Sequence, residues 1–271
     1  MSADSLSVSI VSFAPDLARL RETLRTLSAA LAHARCDADV TLVDNGPGAK
    51  YRPSLEALFA EEMHSPVHKR FLSGHGNVGY GKGHNLALRA SRAQFHLVLN
   101  PDVALEREAI SEAMAYMAAN PDVAILSPLA RDSDGELLYL CKRYPSVLDL
   151  LLRGFAPAAL RERFRPRLER YEMRELPADR PKKGIAIVSG SFMFCRRALL
   201  AEIGGFCESF FLYFEDFDLS LRAGARGELA WVPAVRITHH GGNAARKGWR
   251  HVRLFVRSAI TFFNRHGWKW A

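Results

Sequence analysis

Apolar and polar positions fall into alternating blocks along the first half of the chain. "LSVSIVSF" (6–13) and "ADVTLVDN" (38–45) are short, β-rich runs that predict strands. Between them Leu17, Leu20, Leu24, Leu27 and Leu31 recur at helical spacing. Strand, helix and strand at this length predict a βαβ unit and a parallel sheet. "PVHKRFLS" (66–73) gives a weaker strand, "GHNLALRASR" (83–92) a short helix and "FHLVLNPD" (95–102) a buried strand. "REAISEAMAYMAANPD" (107–122) predicts a helix ending near Asn120-Pro121, and "VAILSP" (123–128) a further strand.

The pattern changes after residue 128. From 129 to 183 the chain carries many Arg and Lys residues and turn signals such as "DSDGE", and no sheet rhythm can be followed. "GIAIVSGSFMFCRRALLAEIGGF" (184–206) restores a strand followed by a helix. "FEDFDLSLRAGARG" (214–227) predicts a helix opened by acidic residues. "ELAWVP" (228–233) and "AVRITHH" (234–240) predict two strands, and "WRHVRLFVRSAITFFNRHG" (249–267) an amphipathic closing helix. The expected fold class is α/β: a single mostly parallel central sheet flanked by helices, with a C-terminal amphipathic helix.

Composition narrows the class. The 271 residues are 48% hydrophobic, enough for one large core or two fused halves. Cys36, Cys141, Cys195 and Cys207 are scattered with no C-x-x-C pair, which argues against a zinc site or a disulfide framework and fits a reducing compartment. The first residues lack a basic segment followed by a long apolar run, and no stretch approaches the roughly 18 apolar residues of a spanning helix. The expected location is cytoplasmic, with attachment to the inner face of the plasma membrane as an extension.

The charge is uneven. From Leu229 onward there is no Asp or Glu, whereas Arg236, Arg246, Lys247, Arg250, Arg253, Arg257, Arg265 and Lys269 are positive; these eight account for the whole net charge of +8. An anionic surface met at the tail is implied, not nucleic acid wrapped around the body. On a helical wheel Arg246, Arg250, Arg253 and Arg257 form one stripe, and Trp249, Val252, Val256, Ile260 and Phe263 an apolar neighbour. Two readings stand open: the apolar stripe enters an anionic bilayer's headgroup region, or it packs on the rest of the protein.

In open α/β sheets ligands sit beyond the carboxyl ends of the strands. Those ends are Ser12-Phe13, Asp44-Asn45, Asn100-Pro101-Asp102 and Ser189-Gly190-Ser191. Of the two carboxylates among them, one suits a base or ribose and the other a hard divalent cation. "SGHGNVGYGKGHN" (73–85) contains a literal G-x-G-x-x-G at Gly74, Gly76 and Gly79. A dinucleotide fingerprint should close the first strand and open the first helix. Here two strands and a long helix precede it, which disfavours an NAD-dependent oxidoreductase. A glycine-rich connection with no ligand is the plain alternative.

"NVGYGKGHN" (77–85), "LVLNPDV" (97–103), "SGSFMFCRRALLAEIGGFCESFFLYFEDFDLSLR" (189–222) and "THHGGN" (238–243) occur in that order. Together they resemble the inverting family-2 glycosyltransferases of GT-A fold, in particular the rhamnosyltransferase-like branch, from Val8 to about Asn243. The resemblance implies transfer of a deoxyhexose, L-rhamnose from dTDP-rhamnose, onto a glycan or lipid-linked glycan acceptor in cell-surface polysaccharide synthesis. It implies a dTDP- or UDP-sugar donor and Mg²⁺ or Mn²⁺. It divides the chain into a catalytic domain (1–245), with a nucleotide-binding half (1–105) and an acceptor-binding half (106–245), and a basic tail (246–271). A non-catalytic glycan- or membrane-binding protein on the same fold would be expected to lack the base or the metal carboxylate, yet Asp216 and Asp102 are both present.

Roles follow by resemblance. Asp44 contacts the nucleotide's base or ribose, or else forms an Asx turn before Gly46-Pro47-Gly48. Ser12 and Phe13 line the base pocket, although Ala14 stands where relatives often have a polar residue. Asn77, Gly79, Lys82 and Asn85 serve the donor nucleotide, with Lys82 facing a phosphate and Asn85 capping or steadying the next helix. Asp102 falls on the family's metal-binding D-x-D, whose first aspartate is here Asn100; a helix N-cap is its alternative role. Asp216 is the general base. Glu215 and Asp218, crowded beside it, are helix-end acids or acceptor contacts. Gly190, Ser191 and Glu215 line the sugar sites. Of the adjacent His239 and His240 only one can face the site, and His239 is the expected metal-side residue.

Overall fold

The computed structural model describes residues 5–48, 51–64, 67–241 and 248–271. The first half builds β1 (Ser5–Ser12), α1 (Leu17–Ala34), β2 (Asp37–Asp44), α2 (Arg52–Glu62), β3 (His68–Leu72), α3 (Tyr80–Ala90) and β4 (Phe95–Leu99). The four strands are parallel, in the order β3-β2-β1-β4. Asp16 caps α1 by accepting from the N–H groups of Ala18 and Arg19, and Leu20, Leu24, Leu27 and Leu31 form its buried stripe. Helix α3 begins three residues before the expected start, so Gly81 and Gly83 lie inside it.

Strand β1 alternates Ser with apolar residues, a pattern that suits a half-exposed strand, yet all eight of its residues are buried. Its serine face is covered and satisfied. Ser9 Oγ lies 2.7 Å from Nδ1 of His84 and 2.9 Å from Nε2 of His96, and Ser7 Oγ lies 2.7 Å from Nδ1 of His96. Burial holds His96 neutral, its pKa lowered to about 3, and pushes His84 well below the usual imidazole range. This polar seam fastens α3 to the sheet.

The second half continues with β5 (Val103–Leu105), α4 (Ala109–Ala119), β6 (Val123–Arg131), β7 (Leu137–Leu138), β8 (Cys141–Lys142), α5 (Val147–Phe155), α6 (Ala158–Arg163) and α7 (Arg165–Tyr171). Then come β9 (Lys182–Lys183), β10 (Ile187–Val188), β11 (Phe192–Arg196), α8 (Arg197–Glu202), α9 (Glu215–Gly224), β12 (Glu228–His239) and α10 (Gly248–His266). Strand β11 runs antiparallel between β4 and β6, β12 pairs parallel with β6, and β5 closes the edge antiparallel to β12. One sheet therefore runs through both halves, with no break at 105. The two strands expected over 228–240 are one, with register shifts between Glu228 and Leu229 and between Val232 and Arg236.

The segment 129–183 contains α5, α6 and α7 together with the short strands β7, β8 and β9. Ser146 and Asp149 form a capping box at the start of α5, and Asp149 also accepts from Arg167 Nε at 2.6 Å, tying α5 to α7. Helix α10 packs on the body, but of the stripe read from the wheel only Phe263 is buried. Phe255, Ser258, Phe262 and Phe263 face Leu150, Phe210 and Phe214, and Ser258 donates to the Leu212 carbonyl. Burying Phe262 and Phe263 contributes about 1.5–3 kcal/mol each. Trp249, Val256 and Ile260 are exposed beside Arg250, Arg253 and Arg257; Arg246 and Lys247 lie outside the described residues.

Candidate active site

Three acidic residues open α9, and the chain reaches them through a strained turn. Tyr213 and Phe214 both hold positive φ, 71° and 65°, a conformation that costs non-glycine residues of order 1–3 kcal/mol each and clusters at functional sites. The turn sends the three carboxylates to different environments. Asp216 reaches the wall of a cavity of about 530 Å³, where Oδ2 accepts the Gly190 N–H at 2.9 Å and Oδ1 the Phe217 N–H at 3.0 Å. Burial raises its pKa, against the pull of those two hydrogen bonds. Glu215 lines the same cavity but is buried, with Oε2 unpartnered; burial and then the Asp216 charge push its pKa up to about 8. Asp218 is fully buried and faces away from the cavity lining. It accepts from Arg222 Nε at 2.8 Å and lies 2.9 Å from His266 Nε2 and 3.3 Å from Arg265 Nε. Its place is structural, joining α9 to α10.

Tyr80, which sequence reasoning passed over, knits the site together. Its hydroxyl shares one proton between the Gly190 carbonyl at 2.6 Å and Asn100 Oδ1 at 2.9 Å. Asn100 N–H in turn donates to the Ser191 carbonyl. Tyr80 thus links the "NPD" turn after β4 to the "SGS" turn that holds Asp216. The Ser191 hydroxyl lies 3.2 Å from that of Ser189.

Asp102 follows Asn100, at the threshold of β5. His239, at the end of β12, brings Nε2 to 3.3 Å from Asp102 Oδ1, and the Asp102 carbonyl accepts the His240 N–H. Burial alone would raise the Asp102 pKa; the imidazole of His239 outweighs it and holds the carboxyl below the usual range. His240 turns to the opposite side, 3.1 Å from Glu22 Oε2 and 2.9 Å from Ser133 Oγ. Gly241 completes the corner: a Cβ there would collide with Asp102 Oδ2 and press on His239 Nε2. Gly242 and Asn243 of "THHGGN" lie outside the described residues.

Among the described residues no group of three or more His, Cys, Asp or Glu is placed to hold a metal ion. A divalent cation nevertheless fits Asp102 and His239 as a partial donor set, because the buried Oδ1 of Asp102 and Nε2 of His239 face each other 3.3 Å apart. Mg²⁺ characteristically takes one or two protein ligands and completes its shell with phosphate and water.

The donor-side residues divide into facing and supporting groups. Phe13 is 55% exposed beyond β1, whereas Ser12 is fully buried and its hydroxyl donates to the Val43 carbonyl. Asp44 Oδ1 accepts the Gly46 N–H, an Asx turn at the end of β2. Asn77 is exposed and accepts the Gly79 N–H. Gly79, at φ 91°, caps α3 where a Cβ would stand 2.5 Å from the Phe211 carbonyl oxygen, so only glycine fits. Lys82 pairs with Glu208 at 3.5 Å. Asn85, expected on the donor side as a residue that caps or steadies the next helix, is buried, with Nδ2 donating to the Phe206 carbonyl and Oδ1 accepting the Phe206 N–H. It is a strut for α3. Asn45 and His75 were missed. Asn45 Nδ2 donates to the Gly79 carbonyl, and its Oδ1 lies 3.0 Å from His75 Nε2, fixing the glycine loop to β2.

A mostly parallel sheet with carboxylates at its strand ends, an antiparallel insertion and an acid-opened helix over the cavity define the GT-A glycosyltransferase architecture. The glycosyl transferase family 2 model matches residues 7–204, and the chain belongs to that family: it is a family-2 glycosyltransferase. It is 30% identical, over 98% of its length and 86% of the relative's, to an N-acetylglucosaminyl-diphospho-decaprenol L-rhamnosyltransferase of Mycobacterium tuberculosis. It is 25% identical to the rhamnosyltransferase WbbL of Escherichia coli K12, covering 72% of this chain and 73% of that one. Among solved structures it resembles a mannosyltransferase from Pyrobaculum calidifontis in complex with GDP-Man and Mn²⁺. That match has a TM-score of 0.62 and 16% identity, over 96% of this chain and 63% of that one. Staphylococcus aureus TarS (1–349) matches with a TM-score of 0.56 and 16% identity, over 96% of this chain and 66% of that one.

Proposed function

We propose that the enzyme transfers L-rhamnose from dTDP-rhamnose, with inversion, to a lipid-linked glycan acceptor in cell-surface polysaccharide synthesis. The observation that carries this reading is the placement of Asp216: a carboxylate of raised pKa, fixed by two backbone N–H groups, on the cavity whose wall also holds His239 and Gly241. Asp216 takes the acceptor hydroxyl proton as that oxygen bonds to the anomeric carbon. The bond from that carbon to the diphosphate breaks on the opposite face, and the nucleoside diphosphate leaves without needing a proton.

Asp102 and His239 would hold Mg²⁺ or Mn²⁺. The ion supplies charge neutralisation for the nucleoside diphosphate. Asp44, Phe13 and the loop from Asn77 to Lys82 receive the nucleotide, so that residues up to 105 serve the donor and the following ones the acceptor. Glu215, Gly190 and Ser191 border the sugars. That the mycobacterial and Escherichia coli relatives are both rhamnosyltransferases supports rhamnose, and the decaprenol-linked substrate of the mycobacterial one supports a lipid-linked acceptor. The exposed Trp249, Val256 and Ile260 beside three arginines of α10 support peripheral attachment to an anionic membrane on the cytoplasmic side. The test is donor hydrolysis without acceptor, in Mg²⁺ or Mn²⁺, across dTDP-rhamnose, dTDP-glucose and UDP-hexoses. Turnover selective for dTDP-rhamnose is expected; selectivity for another donor would overturn the sugar assignment.

A further inference from the structure

Beyond Asp216 the cavity extends into the segment between β7 and α7, where its lining is of two kinds. Lys142, Arg153 and Arg174 gather around Glu172: Arg153 Nε donates to Glu172 Oε1 at 3.1 Å, and Arg174 donates twice to Oε2, at 3.0 and 2.7 Å. Lys142 is buried and donates to the Tyr139 carbonyl. Beside them stand Leu150, Tyr213 and Phe255. The apolar side continues outward: Phe255 meets Tyr213 at 5.7 Å and Phe155 at 6.4 Å between ring centroids, and Phe155 and Leu151 are half exposed at the surface.

Three cations around Glu172 give this end of the cavity more positive than negative side chains, and one of them, Lys142, is buried, where a cation is costly unless an anion arrives. The strain registers on Lys142, whose pKa falls to about 8 through burial and then the charge of Arg153. That positive end suits an anionic group such as the diphosphate of a diphosphate diester, and arginine is the residue suited to hold phosphate. An aromatic path starting next to those cations suits a hydrocarbon chain extending from the diphosphate.

Building on the glycosyl-transfer reading above, we infer that this end of the cavity is a prenyl-diphosphate site: Lys142, Arg153 and Arg174 bind the diphosphate through which the acceptor sugar is joined to its lipid, and Phe255 and Phe155 receive the first units of the chain. The acceptor sugar then lies between the cations and Asp216. This assigns a purpose to the basic segment that has no sheet rhythm in the sequence.

The test is calorimetric titration of the full chain in EDTA, which removes metal-dependent binding of the donor diphosphate, with farnesyl diphosphate, inorganic pyrophosphate and farnesol as probes. Farnesyl diphosphate should bind about tenfold or more tightly than either fragment, and Arg153→Gln and Arg174→Gln should each weaken it about tenfold. Both arginines are half-exposed, so the variants retain the fold, and their dTDP binding in Mg²⁺ should match the wild type. Farnesyl diphosphate binding no tighter than that of the fragments, or unchanged in both variants, would overturn the site. Donor hydrolysis is measured on the same samples. Its absence counts against the glycosyl-transfer reading, whereas hydrolysis without prenyl-diphosphate selectivity counts against this site alone.

Discussion

The Gly190 N–H donates to Asp216 Oδ2 at 2.9 Å, so helix α9 and the turn before β11 share one hydrogen bond at the carboxylate proposed as the base. The same Gly190 accepts the Tyr80 hydroxyl through its carbonyl. The position of the proposed base is therefore set from the glycine-rich helix α3.

Tyr80→Phe removes that hydroxyl and keeps the ring packed against His84. Because the tyrosine positions Asp216 and Asn100 without reaching the reacting atoms, kcat should fall about tenfold while the donor KM stays within about twofold. Steady-state kinetics decide; a donor KM that rises with kcat unchanged would place Tyr80 in nucleotide binding instead.

Gly241→Ala drives a methyl group into Asp102 Oδ2 and against His239. The expected result is a rise of about tenfold or more in the Mn²⁺ concentration needed for half-maximal donor hydrolysis. Thermal stability without metal should change little. An unaltered metal requirement would remove Asp102 and His239 from the metal site.

Glu215 links chemistry to pH stability. Folded, it keeps its proton to about pH 8; unfolded, it releases it near the ordinary value of 4.5. Between those values the native state binds the extra proton, so this group makes stability fall as pH rises. Glu215→Gln does not titrate. Its Tm should exceed the wild-type value by a margin that widens by several °C from pH 5 to pH 8. Parallel Tm curves would show that Glu215 ionises normally.

Asp218→Asn leaves Arg222, Arg265 and His266 facing a neutral amide in a fully buried setting. Breaking such a network costs about 3–5 kcal/mol, which chemical denaturation would register. Arg222 also donates to the carbonyls of Ile203 and Gly205, so the loosening spreads toward α3. A loss below about 1 kcal/mol would mean that the carboxylate is solvated in solution.

Local pattern carried a good part of this architecture. The βαβ start, the strand ends at Asp44 and Asn100-Asp102, and the acids opening α9 follow from short-range periodicity and turn chemistry. Ser189-Ser191, expected at a carboxyl end in the central sheet, instead precedes β11 and follows β10, which pairs with β8 outside that sheet. What stayed hidden depends on partners distant in sequence. The serines of β1 look solvent-facing until His84 and His96 cover them. Tyr80 gains its role only because Asn100 and Gly190, 20 and 110 residues away, converge on its hydroxyl. The α10 wheel shows two apolar faces, and hydrophobicity alone does not say that Phe255 and Phe262 turn inward while Trp249 stays 81% exposed. Lys142, Arg153 and Arg174 gather only once α5 and α7 fold over the site.

The central claim is that Asp216 is the general base, and Asp216→Asn tests it most directly because the amide preserves shape while removing basicity. Transfer from the donor to the acceptor should fall by about 10³-fold or more, with dTDP binding, measured by calorimetry in Mg²⁺, unchanged within about twofold. Turnover close to the wild-type rate, with dTDP still bound, would contradict the assignment.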